Sequence, residues 1–277
     1  MNTNPDVQPK VRLVATDLDG TLLRSDGTVS DRTLTTLARV RAAGVVLVLI
    51  TARPPRVVST LARAMGIDGL AICCNGALIY DLDTETVIRH LPLAAADAHR
   101  FITTLRIMAP DVRFAVETGL TFGYEPEYLS SHPSSPPDLP RIADGLTLSA
   151  HGVTKLIVQH PVVPLADLLR LVQATIGDTA VATHSGAGFV EVSATGVTKA
   201  TALAALCTAL GISSPHVVAF GDMPNDIPML AWAGRSYAVA NAHPDVLAAA
   251  GRITPANDAD GVAATLDTLI GPLASPD

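Results

Sequence analysis

Short runs of consecutive apolar residues, separated by segments of helix length, constrain the fold of this chain more than any other feature. The first runs are 11–15, 45–50 and 69–74, and the segments 30–43 and 54–65 between them have the composition of amphipathic helices. A strand that is apolar throughout is typical of a parallel sheet covered on both faces, because neither face meets water. The alternation of strand and helix therefore predicts an α/β fold.

The carboxyl-terminal part of the chain repeats this alternation. A helix is predicted over 200–210, closed by Gly211, and the apolar run 216–220 predicts another buried strand. The remaining predicted elements are a helix over 226–233, a strand over 236–239, a helix from Pro244, a strand at 253–254 and a helix over 261–270. Both parts together predict a Rossmann-like, doubly wound parallel-sheet core, which binds ligands at the carboxyl ends of its strands.

The middle of the chain has a different pattern and predicts an inserted α+β unit. Its strand candidates are 87–88, 112–116, 156–159 and 189–192, and its helix candidates are 94–108 and 164–176. Five prolines exclude a regular helix or a central strand from 126–140, which is therefore predicted to be a loop. The predicted domain boundaries are 1–81 and 191–277 for the core and 82–190 for the inserted unit.

Composition narrows the classes of function. The 277 residues are 48% hydrophobic and 4% aromatic, which suits two domains with aliphatic cores and excludes a largely disordered chain. A net charge of −7 without any run of Lys and Arg argues against a nucleic-acid partner. No apolar stretch approaches eighteen residues and no signal peptide is recognisable, so we expect a cytoplasmic protein with no membrane partner. A monomer or a weak homodimer is the expected state.

The cysteines predict no chemistry. Cys73, Cys74 and Cys207 have the spacing neither of a disulfide framework nor of a metal site. Cys73 and Cys74 lie within an apolar run, which predicts buried thiols and agrees with a reducing compartment.

Two acidic clusters follow predicted buried strands and carry the strongest functional signal. They are Asp17-Leu18-Asp19-Gly20-Thr21 and Gly221-Asp222-Met223-Pro224-Asn225-Asp226. Neighbouring carboxylates repel each other when ionised, and a divalent cation or a shared proton relieves that repulsion. Each cluster alone is also compatible with an ordinary turn or helix cap. Because strand ends converge in a parallel sheet, joint binding of one Mg²⁺ is the simpler interpretation.

Three further residues are placed where they would meet a phosphate. Thr51 ends the second apolar strand, close to a helix start whose backbone N–H groups suit an anion. Asn75 ends the third apolar strand, and Lys199 immediately precedes the helix predicted over 200–210. Thr51 alone is more often a helix cap and Lys199 alone a surface lysine, so only the combination has predictive value.

The combination resembles the four motifs of the haloacid dehalogenase superfamily, and in particular its Cof-type branch, whose members carry a type IIB cap. The motif residues are Asp17-Leu18-Asp19-Gly20-Thr21-Leu22, Thr51-Ala52-Arg53, Lys199 and Gly221-Asp222-Met223-Pro224-Asn225-Asp226. Other segments similar to that branch are Asn75-Gly76-Ala77, Gly196-Val197-Thr198-Lys199, Asn241-Ala242, Asn257 and Asp260-Gly261-Val262. The resemblance extends over nearly the whole chain and implies that the inserted unit 82–190 is an α+β cap domain.

The resemblance implies a Mg²⁺-dependent phosphatase for small phosphorylated metabolites such as sugar phosphates, nucleotides or cofactor precursors. It makes Asp17 the nucleophile and Asp19 the general acid and then base. Catalytic roles also fall to Thr51 and Lys199, and the implied metal ligands are Asp17, Asp19 through its backbone carbonyl, Asp222 and Asp226. The implied substrate-binding residues are Thr51, Ala52, Asn75, Gly76, Lys199 and Asn225.

The sequence departs from the family pattern at two places. Ala52 stands where the second motif usually has Gly, and an added methyl is tolerable unless the backbone there needs a positive φ. Met223 and Pro224 stand where polar residues are frequent, but those positions vary within the branch.

Two alternative functions remain open at this point. A phosphomutase would use the same aspartyl-phosphate and would need a cap that anchors two phosphates, normally through several arginines. The predicted cap contains Arg89, Arg100, Arg106, Arg113, Arg141 and Arg170, without a clustered pair. A non-catalytic metabolite-binding module on the same fold would be indicated by loss of a motif residue, and none is lost. In the cap, Glu117, Tyr124, Glu125 and His184 are candidates for either substrate contacts or structural roles.

Overall fold

A computed structural model of the chain describes residues 9–128, 141–185 and 188–270. They form two compact units. The first unit consists of the chain up to Ile50 and from Leu203 onward, and the second consists of Thr51–Ala202.

The described residues contain the following elements in chain order. The strands are β1 Leu13–Asp17, β2 Val46–Ile50, β3 Leu70–Cys73, β4 Leu78–Asp81, β5 Thr86–His90, β6 Arg113–Glu117, β7 Phe122–Tyr124, β8 Arg141–Ile142, β9 Lys155–Gln159, β10 Ala180–Thr183, β11 Val190–Ala194, β12 Val217–Gly221, β13 Arg235–Val239 and β14 Ile253–Thr254. The helices are α1 Asp31–Ala42, α2 Pro55–Met65, α3 Ala95–Met108, α4 Gly145–Leu148, α5 Leu165–Ile176, α6 Lys199–Ala209, α7 Ile227–Trp232, α8 Pro244–Ala249 and α9 Gly261–Ile270.

The first unit is built on parallel strands in the order β14-β13-β12-β1-β2. Strands β1 and β12 are buried at every residue, as their apolar sequences predict. From this central pair the chain proceeds to β2 in one direction and to β13 in the other. Since crossovers between parallel strands are right-handed, α1 and α7 are placed on opposite faces of the sheet. The strand order therefore reverses between β1 and β12, which is where such sheets bind ligands.

Helix α1 illustrates how local sequence sets an element's limits. The hydroxyl of Ser30 accepts a hydrogen bond from the backbone N–H of Thr33 at 3.1 Å, which satisfies an N–H group at the start of the helix. Its buried side includes Leu37 and Val40, and the helix is followed by Gly44, whose φ of +73° is accessible mainly to glycine. This helix and α9 are in contact on the first unit's sheet.

The second unit contains two antiparallel arrangements. Strands β3, β4 and β5 pair antiparallel in that order. The other sheet has the order β10-β11-β9-β6-β7-β8, antiparallel except where β7 pairs parallel with β8. One face of this sheet packs on α3 and α5 through a hydrophobic core that includes Phe101, Phe114 and Val158.

The structure confirms the predicted α/β class with its parallel sheet, and every element predicted within the described residues is present within a few residues of its expected limits. Elements that were not predicted are β4, β7, β8, β10 and α4, which have only two to four residues each. So few residues show no measurable periodicity, and their pairing partners decide their conformation. Most of the predicted proline-rich loop lies outside the described residues. The domain boundaries 1–81, 82–190 and 191–277 stay a prediction.

The cysteines behave as the sequence predicts. Cys73, Cys74 and Cys207 are free thiols and are buried. Burial raises the pKa of Cys74 to about 12 and that of Cys207 to about 11, so both stay protonated and unreactive at neutral pH. Among the helices that the structure describes, none is both long and apolar enough to cross a membrane.

Candidate active site

The two acidic clusters meet at the point where the strand order reverses. Asp17 is the last residue of β1, and Asp222 directly follows β12, the neighbouring parallel strand. With Asp226 these residues form a group of three buried carboxylates whose ligand atoms lie within 4.8 Å of one another. The convergence predicted from the strand ends is therefore confirmed for these three side chains.

Asp222 is oriented by the turn that follows β1. The hydroxyl of Thr21 donates a hydrogen bond of 2.8 Å to Oδ1 of Asp222, 201 residues away in sequence. Gly20 has a φ of +75°, and a Cβ atom there would lie 2.4 Å from Oδ2 of Asp222. Glycine is therefore required both by the backbone conformation and by the close approach of the carboxylate.

Asp226 is held by the backbone that leads into its own helical turn. Its Oδ2 accepts hydrogen bonds from the backbone N–H groups of Asp222 at 3.1 Å and Met223 at 3.0 Å. A Cβ atom on Gly221 would lie 2.5 Å from the Cβ of Asp226, so glycine is needed here for packing. Asn225 lies in the same turn, which spans Pro224–Asp226.

Two asparagines support the turn Leu18–Leu22, which follows β1. Neither of them was among the predicted site residues. Nδ2 of Asn241 donates a 2.8 Å hydrogen bond to the carbonyl of Gly20, and its Oδ1 accepts one of 2.9 Å from the backbone N–H of Asn257. Nδ2 of Asn257 in turn donates to the carbonyl of Leu23 at 2.9 Å. Their similarity to the Cof-type branch was visible in the sequence, but their hydrogen-bond partners were not.

Asp17 and Asp19 differ in environment although they are two residues apart. Asp17 is 5% exposed, whereas Asp19 is exposed in the turn Leu18–Leu22. The side chain of Asp19 is not part of the carboxylate group described above. A buried carboxylate that belongs to the group and an exposed one beside it are suited to different tasks.

The three buried carboxylates fit a hard divalent cation. Like charges this close raise one another's free energy unless a cation or a proton intervenes, and carboxylate oxygens are the ligands that Mg²⁺ prefers. The oxygens of Asp222 and Asp226 are fixed by the Thr21 hydroxyl and by backbone N–H groups. Partners that orient the ligands in this way are typical of metal sites.

The remaining predicted residues lie in the second unit. All except Lys199 belong to two loops joined by hydrogen bonds, the first being 51–54 after β2 and the second 74–77 after β3. Thr51 is fully buried; its Oγ1 accepts a hydrogen bond from the backbone N–H of Arg53 at 3.1 Å. The backbone N–H of Asn75 donates to the carbonyl of Thr51 at 3.0 Å. The structure therefore brings Thr51 and Asn75 together, in a position that follows directly on β2 and β3.

Gly76 and Lys199 are connected through the residue that caps helix α6. A Cβ atom on Gly76 would lie 2.2 Å from the carbonyl oxygen of Thr198, so the Cys74–Gly76 turn packs against the start of this helix. The hydroxyl of Thr198 accepts a 3.0 Å hydrogen bond from the N–H of Thr201 and caps α6. Lys199 is the first helical residue and is 2% exposed. A buried cation at a helix N-terminus opposes the helix dipole, so stability alone does not explain its position.

The departure at Ala52 is accommodated by its backbone. Ala52 is not among the non-glycine residues with positive φ. An alanine therefore adopts this conformation without strain, as expected if the position does not require glycine.

Three of the six cap arginines bind acidic side chains of the same unit. Arg100 pairs with Asp97, Arg106 with Glu125 and Asp144, and Arg170 with Asp167. Glu125 also accepts hydrogen bonds from the N–H groups of Phe114 and Gly145, which makes it a structural residue. These arginines are therefore engaged within the unit, which disfavours the two-phosphate anchor of a mutase.

Comparison with known proteins decides the family. The family model of haloacid dehalogenase-like hydrolases matches residues 14–266. The chain belongs to this family. The match includes both acidic clusters, Thr51, Asn75 and Lys199, so the resemblance of the motifs is confirmed at the level of the family.

Curated relatives and a solved structure extend this result. The chain is 32% identical over 238 residues to the HMP-PP phosphatase of Enterobacter sp. (strain 638), covering 86% of this chain and 87% of the relative. It is 30% identical over 264 residues to the pyridoxal phosphate phosphatase YbhA of Escherichia coli (strain K12), covering 91% and 96%. The solved subclass IIB sugar phosphatase BT4131 has the same fold, with a TM-score of 0.78 and 21% identity over 93% of this chain and 98% of that one.

Proposed function

We propose that this member of the haloacid dehalogenase-like family is a Mg²⁺-dependent phosphatase that hydrolyses small phosphorylated metabolites through an aspartyl-phosphate on Asp17. The observation that carries the proposal is the buried group of Asp17, Asp222 and Asp226 where the strand order reverses. The names of the two curated relatives, an HMP-PP phosphatase and a pyridoxal phosphate phosphatase, support a phosphate ester of a small cofactor-like molecule as substrate.

In the first step the carboxylate of Asp17 attacks the phosphorus and the bond to the leaving oxygen breaks. Asp19 protonates the leaving alkoxide, a role that suits its exposed position beside the buried nucleophile. In the second step a water attacks the phosphoryl group on Asp17 and gives its proton to Asp19. The phosphate leaves and the Asp17 carboxylate is regenerated. A carboxylate nucleophile thus divides one difficult hydrolysis into two displacements.

Mg²⁺ would be held by Asp17, Asp222, Asp226 and the backbone carbonyl of Asp19, and when bound it would offset negative charge on the phosphoryl oxygens. Asn225 would orient this group. We assign Thr51, the backbone of Ala52, Asn75, Gly76 and Lys199 to the phosphorylated substrate. The hydroxyl of Thr51 and the ammonium of Lys199 are the groups expected to contact the phosphoryl oxygens.

Phosphate release from a panel of phosphorylated metabolites, with Mg²⁺ and then with EDTA, tests this function. The panel should include HMP-PP, pyridoxal phosphate, hexose phosphates and nucleotides. We expect release from some members that stops with EDTA and returns when excess Mg²⁺ is added. A folded protein that releases phosphate from none of them, or equally well with EDTA, would contradict the proposal.

A further inference from the structure

A row of buried charges lies on one face of the six-stranded sheet of the second unit. Glu117 of β6 is directly opposite Lys155 of β9, and Glu191 of β11 is opposite Ile157, two residues further along β9. Because side chains alternate between faces, these three charges share one face. The intervening residues Val116, Leu156, Val190 and Val192 belong to the hydrophobic core on the other face.

The charges bind one another and the two loops of the candidate active site. Nζ of Lys155 forms an ion pair with Oε1 of Glu191 and donates a 2.8 Å hydrogen bond to the carbonyl of Ala52. Oε2 of Glu191 accepts a 3.1 Å hydrogen bond from Nδ2 of Asn75. Glu117 forms two hydrogen bonds of 2.7 Å with the guanidinium of Arg56 on α2. The Lys155–Glu191 pair therefore contacts a residue of each loop.

These two loops are also bound to each other. The N–H of Asn75 donates to the carbonyl of Thr51, and the N–H of Cys74 donates to the carbonyl of Arg53, both at 3.0 Å. Consequently the Ala52 carbonyl that Lys155 holds lies between two peptide groups fixed by the other loop. Any displacement of Ala52 would move Thr51, which precedes it.

The second loop has an unfavourable backbone that needs support. Cys74 and Asn75 are consecutive non-glycine residues with φ of +51° and +57°. L-residues in this left-handed region are uncommon, and such conformations persist where the surrounding structure holds them. The contact from Asn75 to Glu191 provides such a hold.

Stability alone does not account for the ion pair. The side chains of Lys155 and Glu191 are 5% and 1% exposed, and a buried pair often contributes no more than well-packed apolar residues of similar volume. Burial alone would lower the pKa of Lys155, but Glu191 and Glu117 raise it above its ordinary value, so it remains an ammonium at neutral pH. A buried ion pair that is hydrogen-bonded to both loops indicates a role in orientation.

We propose that Lys155 and Glu191 are positioning residues for phosphoryl transfer, which hold the Ala52 carbonyl and the Asn75 amide so that Thr51 keeps the geometry needed to bind phosphate. This inference rests on the proposed phosphatase function. Neither residue is assigned to the reacting atoms; both act through the two loops.

The test compares stability with kinetics in a double variant, Lys155→Met with Glu191→Leu. Replacing both charges by apolar residues avoids leaving one charge buried alone, so we expect the midpoint of thermal unfolding to change by only about a few degrees. With p-nitrophenyl phosphate at saturating Mg²⁺, we expect kcat/KM to fall about 100-fold, since a displacement near 1 Å has such an effect. The Mg²⁺ concentration for half-maximal activity should remain unchanged, because the metal carboxylates keep their own supports.

Arg106→Met is the matched control, since it removes the ion pair with the buried Glu125 without touching either loop. We expect it to lower the unfolding midpoint and to leave kcat/KM within about twofold. If the double variant keeps more than about a third of the wild-type kcat/KM, or if Arg106→Met loses as much activity as it does, the positioning role is wrong.

Glu191→Gln covers the case in which the double variant does not fold. It keeps the side-chain shape and is expected to lower kcat/KM about tenfold, whereas a value within twofold of wild type would contradict the proposal. A wild-type protein without any phosphatase activity would reject the proposed function itself. An active wild type with equally active variants would reject only the positioning role.

Discussion

The two units use buried charge in opposite ways. In the first unit three carboxylates of the same sign, Asp17, Asp222 and Asp226, have ligand atoms within 4.8 Å of one another. In the second unit, Glu117, Lys155 and Glu191 alternate in sign along one face of a sheet. Like charges brought together attract an external cation, whereas alternating charges neutralise one another and fix the segments that they contact.

The comparison distinguishes a group of charges suited to binding a charged ligand from a row of charges suited to holding loops in place. A group of negative charges at the reversal of strand order is suited to a metal ion, whose positive charge offsets the carboxylates and would in turn attract an anionic phosphate ester. The alternating row is suited to holding loops, because its hydrogen bonds are directional and its net charge is small. Substitutions in the two regions should therefore differ in what they change.

The largest effect is expected from Asp17→Asn. The amide is nearly isosteric but is not a nucleophile, so phosphate release should fall by about a thousandfold or more. The fold should persist, with unchanged circular dichroism. Without Mg²⁺ the midpoint of thermal unfolding should not decrease, because one of three like charges has been removed. Activity above about a tenth of wild type would show that Asp17 is not the nucleophile.

An intermediate effect is expected from Asp222→Asn on the binding of Mg²⁺, which is measured as the rise in the unfolding midpoint when the ion is added. An ion that binds only the folded state adds about 2.7 kcal/mol to the free energy of unfolding at 100 times its dissociation constant, which raises the unfolding midpoint. Asp222→Asn should abolish most of this shift. Asp245→Asn, at a carboxylate whose side chain is 73% exposed, is the control and should retain it. Equal shifts in both variants would mean that the ion binds elsewhere.

The smallest effect is expected at Asp260, a carboxylate of the first unit that forms an ion pair with Arg24. Burial alone would raise the pKa of Asp260, but hydrogen bonds from Ser30 and Arg24 outweigh it and lower the pKa below its ordinary value. Its contribution is therefore present above about pH 4 and is lost as the pH falls further, through the folded-state pKa. Asp260→Asn should lower the free energy of unfolding by about 1 kcal/mol at pH 7 and leave the Mg²⁺ shift unchanged.

Denaturant unfolding of Asp260→Asn and wild type at several pH values measures this contribution. The difference between the two proteins should narrow towards pH 3, because protonation removes the wild-type charge. A stability difference that stays constant from pH 7 to pH 3 would show that the charge of Asp260 does not contribute. Loss of the Mg²⁺ shift would show that Asp260, although paired with Arg24, also supports the Mg²⁺ site.

The amino-acid sequence by itself determined the longer elements and the acidic residues at their ends. Apolar runs such as 45–50 predicted buried strands, Ser30 and Gly44 lie at the limits of α1, and the acidic clusters predicted the group of buried carboxylates. These signals are local, because a strand's composition and a helix cap depend on residues only a few positions apart. The family's motifs are readable for the same reason.

The tertiary structure decided which distant side chains share a contact. The hydrogen bond between Thr21 and Asp222 and the pair of Lys155 with Glu191 depend on strand order and register, which bring together residues 201 and 36 positions apart. The difference in exposure between Asp17 and Asp19 likewise follows from a turn that directs one side chain inward and the other outward. Such contacts leave no local pattern in the sequence, because the residues around a buried lysine or glutamate do not reveal which distant side chain it contacts.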